Sequence, residues 1–168
     1  MLIYHPAFDI YHCMFRMIRL LSKLPKQSYE IERIRILDFY LLFPQQLKNV
    51  RFPREAVGYK KLFKERINPY EKIEDPLRIF LRLEAYQKES LNCLASYNII
   101  DAKLLSEGKI QRTANEIPKE LDNAIEKANS RFPEVIELLT GPFINIDLYG
   151  NSGLKARTEL FEHRYDPS

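Results

Sequence analysis

Two of the three histidines, the two cysteines and one acid set among apolar residues are where chemistry would be sought in this chain of 168 residues. His5 and His12 lie seven apart, a spacing that aligns two turns of a helix, but Pro6 keeps His5 outside the helix that carries His12. His12 with Cys13 has no metal-ligand spacing, and Cys93 lacks the second cysteine of a CxxC pair. The histidines therefore read as surface or hydrogen-bonded side chains. A nucleophilic Cys13 would need a base and an open site; its place on an apolar stripe points instead to an inert core thiol. Asp38 has no second acid or base at a fixed offset, so an ion pair with Arg35 or a hydrogen bond accounts for it. Gly150-Asn151-Ser152-Gly153 lacks the flanking strand and helix of a nucleotide loop and reads as a plain turn rather than an anion nest. HExxH, GxSxG and GxxxxGK[ST] do not occur. The expectation is a protein with no catalytic residues, no cofactor and no metal.

Helices must position whatever function remains. Ile10, Cys13, Met14, Met17, Ile18 and Leu21 predict a helix over 7–23 with one buried stripe, leaving Arg16, Arg19 and Lys23 to solvent. Pro25 stops it, and Ser28 stands where an N-cap belongs. A second helix is predicted over 30–43 on Ile31, Ile34, Leu37 and Leu41. Ile36, Phe39, Leu42 and Phe43 spread apolar area round its other sides, which makes it the centre of the core. Pro53 opens a third helix over 53–66. Asp75-Pro76, an N-cap acceptor followed by a proline, starts a fourth over 76–96, with Leu77, Phe80, Leu83, Leu91 and Leu94 inward.

Asn98 suits a left-handed C-cap, Asp101 caps a short helical turn, and Gly108 stops it. Residues 109–113 read as a short strand or one arm of a wing. Pro118 opens a helix with Leu121, Ala124, Ile125 and Ala128 inward; Pro133 starts another or kinks that one, and Gly141-Pro142 ends it. Ile144, Ile146 and Leu148 alternate with polar residues as a strand does, and 154–163 form a last amphipathic turn or two. The fold class is mainly α: one compact helical domain over 1–168 with winged-helix-like features and two or three short β-strands. Its parts are a basic helical stretch over 1–70, a helical stretch over 71–140, and a strand, turn and short helix over 141–168.

Composition sets the outer bounds. At 45% hydrophobic and 29% charged the chain is not disordered, and a domain of this size buries roughly 70% of its unfolded surface. No apolar run is long enough to span a bilayer, the start shows no basic segment followed by an apolar one, and two cysteines make no disulfide framework. A reduced, cytoplasmic protein away from membranes is expected. The net charge of +3 hides a division: residues 1–70 carry +7 and residues 71–168 carry −4. Within 48–66, Arg51, Arg54, Lys60, Lys61, Lys64 and Arg66 interleave with Phe52, Tyr59 and Phe63. Such a segment suits a solvated helix face, an acidic protein partner or phosphates.

A long helix ending at Asn98, followed by a short polar strand, has the order of a winged-helix recognition helix entering its wing. Such folds bind DNA through that helix or serve only as interaction modules. Glu84 and Glu89 beside Arg78, Arg82 and Lys88 make this helix less basic than a DNA reader, which favours the interaction module.

Two stretches carry a resemblance. His5-Pro6-Ala7-Phe8-Asp9, followed by Arg35-Ile36-Leu37-Asp38-Phe39-Tyr40-Leu41-Leu42-Phe43-Pro44, resembles the middle component of bacterial ABC-three-component systems. The tail is similar to the same group through Leu139-Thr140-Gly141-Pro142-Phe143, Leu148-Tyr149-Gly150, Gly153-Leu154-Lys155 and Arg164-Tyr165-Asp166. The resemblance implies a small accessory subunit encoded beside a coiled-coil ABC ATPase of the SMC type, and usually an effector such as a nuclease. Its nearest analogue is the small C subunit of Lamassu-type anti-phage and anti-plasmid defence. It brings no functional residues to these positions.

The resulting expectation is a non-catalytic adaptor that docks on the ATPase and positions the effector, with only weak or indirect DNA contact. Such a subunit should show apolar surface patches, and two groups are candidates: Phe143, Ile144, Ile146, Leu148 and Tyr149, and separately Phe161 and Tyr165. Ordinary packing of a C-terminal segment onto the core is the alternative for both. The second functional reading is a winged-helix DNA-binding protein or transcription regulator acting through the basic segment.

Overall fold

A computed structural model describes residues 6–64, 73 and 75–161. The first helix, α1 (Ile10–Lys23), starts where the Asp9 carboxylate accepts a hydrogen bond from the His12 backbone N–H, and it ends before Pro25. α2 (Ile31–Leu42) has Glu30 before its first turn, without a side-chain cap; Ser28 is exposed and does not cap it. Every residue from Arg33 to Leu41 is buried, so α2 is the central element that its all-round apolar pattern predicts. Short 3₁₀ turns at Pro44–Asn49 and Arg54–Ala56 lead into α3 (Val57–Lys64). The predicted third helix is thus a 3₁₀ turn joined to a shorter α-helix, and its continuation to residue 66 lies outside the described residues.

The Asp75-Pro76 start is observed as read, with Asp75 accepting from the Arg78 N–H and α4 running over Pro76–Ser96. Asn98 adopts φ 57°, closing the helix in the left-handed region. Asp101 caps α5 (Ala102–Ser106), and Gly108 takes φ 82° directly after it. Two strands follow the chain order β1 (Tyr29–Glu30) and β2 (Lys109–Ile110), and they pair antiparallel with Tyr29 opposite Ile110. Ile100 also bridges Arg112. The segment after α4 is therefore a two-residue strand and one bridge enclosing a helix, tied back to the entrance of α2.

α6 (Lys119–Asn129) and α7 (Pro133–Thr140) are separate helices, with Pro133 at the first turn of the second. Ile125 is buried in α6, whereas Ala124 is exposed, contrary to its predicted inward place. The period-2 pattern of Ile144, Ile146 and Leu148 does not form a strand. Phe143–Asn145 make a 3₁₀ turn, and the chain then turns through Gly150 into α8 (Leu154–Thr158). The alternation fails because both Ile144 and Ile146 offer their carbonyls to one arginine rather than to a neighbouring strand. Gly153 is required by close approach: a Cβ there would collide with the backbone carbonyls of Leu148 and Tyr149. Among the described residues, no helix is long and apolar enough to cross a membrane.

Candidate functional site

The junction of α1, α2 and α4 holds a buried polar seam. Asp38 of α2 is fully enclosed and accepts from Arg16 of α1 through Nε at 2.7 Å and a second guanidinium nitrogen at 3.2 Å. Gln87 of α4 donates to the same carboxylate at 2.8 Å, and its amide oxygen accepts from Arg35 Nε at 2.8 Å. Burial alone would depress the Arg16 guanidinium, but the charge and hydrogen bonds of Asp38 more than reverse this and raise it. Ser90 donates to the Ile10 carbonyl beside this seam. One expectation is corrected here: Arg16 is buried rather than solvated. Of the two readings of Asp38, the hydrogen bond holds, and its ion pair is with Arg16 across helices instead of Arg35. Arg16 lies three residues after Cys13 and four before Leu20, both buried, so it shares their side of α1.

Cys13 packs against the seam, its sulfur 3.9 Å from Asp38. Burial first, and then the negative charge of Asp38, push its thiol up from 9.0 to about 12. The thiol therefore stays protonated at pH 8. Stability linked to it is fully present below pH 9.0 and is lost as pH rises towards about 12, because the unfolded thiol ionises first. An alkylating reagent at pH 8 is expected to label the half-buried Cys93 far faster than Cys13, which should react only after unfolding in guanidinium. Equal labelling rates by mass spectrometry would contradict this.

A second set of cations ties down the C-terminal segment. Arg33 of α2 donates to the carbonyls of Ile144 and Ile146 at 3.2 and 2.5 Å. Lys155 of α8 is buried, pairs with Glu32 at 3.1 Å, and lies 5.0 Å from the ring centres of both Tyr149 and Phe161. Arg35 stacks over Phe80 at 4.8 Å and Phe161 at 5.0 Å, while the two rings meet edge to face at 4.9 Å. These ties were missed in the sequence, where Lys155 and Arg33 look like ordinary surface charges. Their signal was the string of aromatic and basic residues in the tail.

This arrangement locates the predicted interface residues. Phe143 and Leu148 are core side chains with no surface to offer, and Phe143 packs edge-on to Phe52 at 5.4 Å. Ile144, Ile146 and Phe161 are half-buried against the core, and Tyr149 is 37% exposed. Tyr165 lies outside the described residues. Within the basic segment, Arg51 donates to the Ala156 carbonyl at 2.8 Å, and Lys60 reaches the Val50 carbonyl at 3.4 Å while lying 5.8 Å from the centre of the Phe52 ring. Arg54 and Lys61 are exposed. The Lys64 side chain and Arg66 fall outside the described residues. Among the described side chains of the segment, Arg51 and Lys60 are thus partly engaged by the protein's own backbone.

The family model of the ABC-three component (ABC-3C) system Middle Component 5 matches residues 2–166. The chain belongs to that family. As a Middle Component 5 protein it is one component of a multi-component system. No curated protein and no solved structure matches the chain. Among the described residues of this Middle Component 5 chain, no three His, Cys, Asp or Glu side chains gather as a metal site would need. Large exposed apolar side chains among the described residues are Tyr11, Val57, Leu62, Leu77, Leu81, Tyr97, Phe132 and Tyr149. Leu77, expected in the core, is therefore a surface residue.

Proposed function

We propose that this protein is a non-catalytic adaptor subunit that links an SMC-type ABC ATPase to an effector, such as a nuclease, in a prokaryotic anti-phage or anti-plasmid defence complex. The observation that carries the reading is the family match over 2–166, which makes the chain one component among three. The internal use of its charged groups agrees with it. Asp38, Arg16, Arg35, Arg33 and Lys155 serve as ties between elements, so the seam is a scaffold that holds surfaces in fixed relation. A Lamassu-like complex acting in the cytoplasm is the setting proposed for it.

The test is co-expression of the full chain with the ATPase and effector components encoded beside it. A complex of all three is expected on size exclusion, and omitting this chain should reduce effector capture by the ATPase at least about tenfold. Equal capture without this chain would overturn the adaptor reading. The DNA-binding reading rests on the basic segment, whose Arg51 and Lys60 contact backbone carbonyls of the protein itself.

A further inference from the structure

α4 buries polar side chains and exposes leucines. Gln87 and Ser90 are fully enclosed on its inward face beside Phe80, Leu83, Leu91 and Leu94. Its outward face carries Leu77 at 44% and Leu81 at 55% exposure, one turn apart, with the exposed Ala85 one turn further. Among the described residues, no other pair of large exposed apolar side chains stands four apart on one helix. Val57 and Leu62, both on α3, are five apart and point to different sides. Single exposed apolar residues are ordinary; a row of them marks an interaction site.

Charge says what kind. Arg78 and Arg82 each follow one of these leucines and run along one shoulder of the row. Both are exposed, and neither guanidinium group has a carboxylate partner among the described residues; Asp75 accepts only from the Arg78 backbone N–H. The Arg82 guanidinium is held 4.4 Å from the centre of the Phe8 ring, which fixes its position. Further along the row, Lys88 is already paired with Glu84 at 2.5 Å. Two guanidinium groups with no carboxylate partner among the described residues, set beside an apolar ridge, complement an apolar ridge flanked by acids. A second copy of this chain paired antiparallel is a poor occupant, because a two-fold axis that sets Leu77 of each copy against Leu81 of the other also sets Arg78 against Arg82.

We infer that the outer face of the first half of α4 docks an amphipathic helix of the ATPase component whose apolar ridge is flanked by acidic side chains. This rests on the adaptor reading. The test captures the ATPase component with the full chain in wild-type, Leu77→Asp/Leu81→Asp and Arg78→Glu forms. The leucine variant should lose capture by roughly tenfold or more, Arg78→Glu should weaken it, and wild-type capture should fall as salt rises. Melting temperatures should barely change, since these side chains are exposed.

Wild-type capture with undiminished capture by the leucine variant would overturn the docking face and leave the adaptor reading standing. No capture by the wild type would remove both. Loss with the leucine variant but none with Arg78→Glu would overturn the acidic character of the partner. A wild-type dimer by light scattering that the leucine variant dissociates would assign the face to a second copy and overturn the inference.

Discussion

Replacing Asp38 by alanine is expected to destabilise the folded protein by about 3–5 kcal/mol. The carboxylate is fully buried and accepts from Arg16 and Gln87, so its removal leaves a guanidinium enclosed without a counter-charge. The penalty comes mainly from that stranded cation rather than from the lost attraction. For a domain of this size the melting temperature should fall by roughly 6–20 °C. A double-mutant cycle checks the cause. Arg16→Met removes the stranded charge, so Asp38→Ala should cost much less in that background than in the wild type. Equal costs in both backgrounds, read by urea unfolding, would refute the pairing as the origin.

Phe143→Ala should also lower stability by about 3–5 kcal/mol, through lost burial and the cavity left beside Phe52. The ring opens the 3₁₀ turn that follows α7, where the chain runs towards the Arg33 clamp, so the cavity opens between two anchored segments. Those anchors limit collapse, which keeps the cost near the upper part of the range. A docking residue would behave in the opposite way, lowering partner capture while leaving unfolding unchanged. Urea unfolding of the isolated chain distinguishes the two, and a loss under about 1 kcal/mol would contradict the core placement. A capture experiment on this variant would report folding rather than docking.

Much of the helical frame was legible because its signals are local. Asp75-Pro76 marks the start of α4, Asn98 its left-handed end and Gly108 the end of α5, while for Pro133 a helix start was one of two readings; each depends on the conformational limits of one or two residues. The central place of α2 followed from apolar residues on all its sides. The interaction surface was less legible. The alternation of Ile144, Ile146 and Leu148 gave a strand that the chain does not form, because Arg33 takes up the carbonyls a neighbouring strand would need. Leu77 was placed in the core because leucine pattern alone does not say which side of a long helix meets another element.

The sequence by itself determined a mainly helical chain, the helix limits set by proline, asparagine and glycine, a basic first part and the absence of familiar catalytic strings. The family string resemblance was legible there too. Only the tertiary structure decided which charges are internal. Arg16, Arg35 and Lys155 carry the same groups as Arg78 and Lys61, yet the first three are enclosed and the last two face water. The difference lies in partners distant in the chain: Asp38 for Arg16, Gln87 and Phe161 for Arg35, Glu32 and Tyr149 for Lys155. A buried charge is tolerated only where packing brings such a partner to it, and residue type and local spacing carry no record of that meeting.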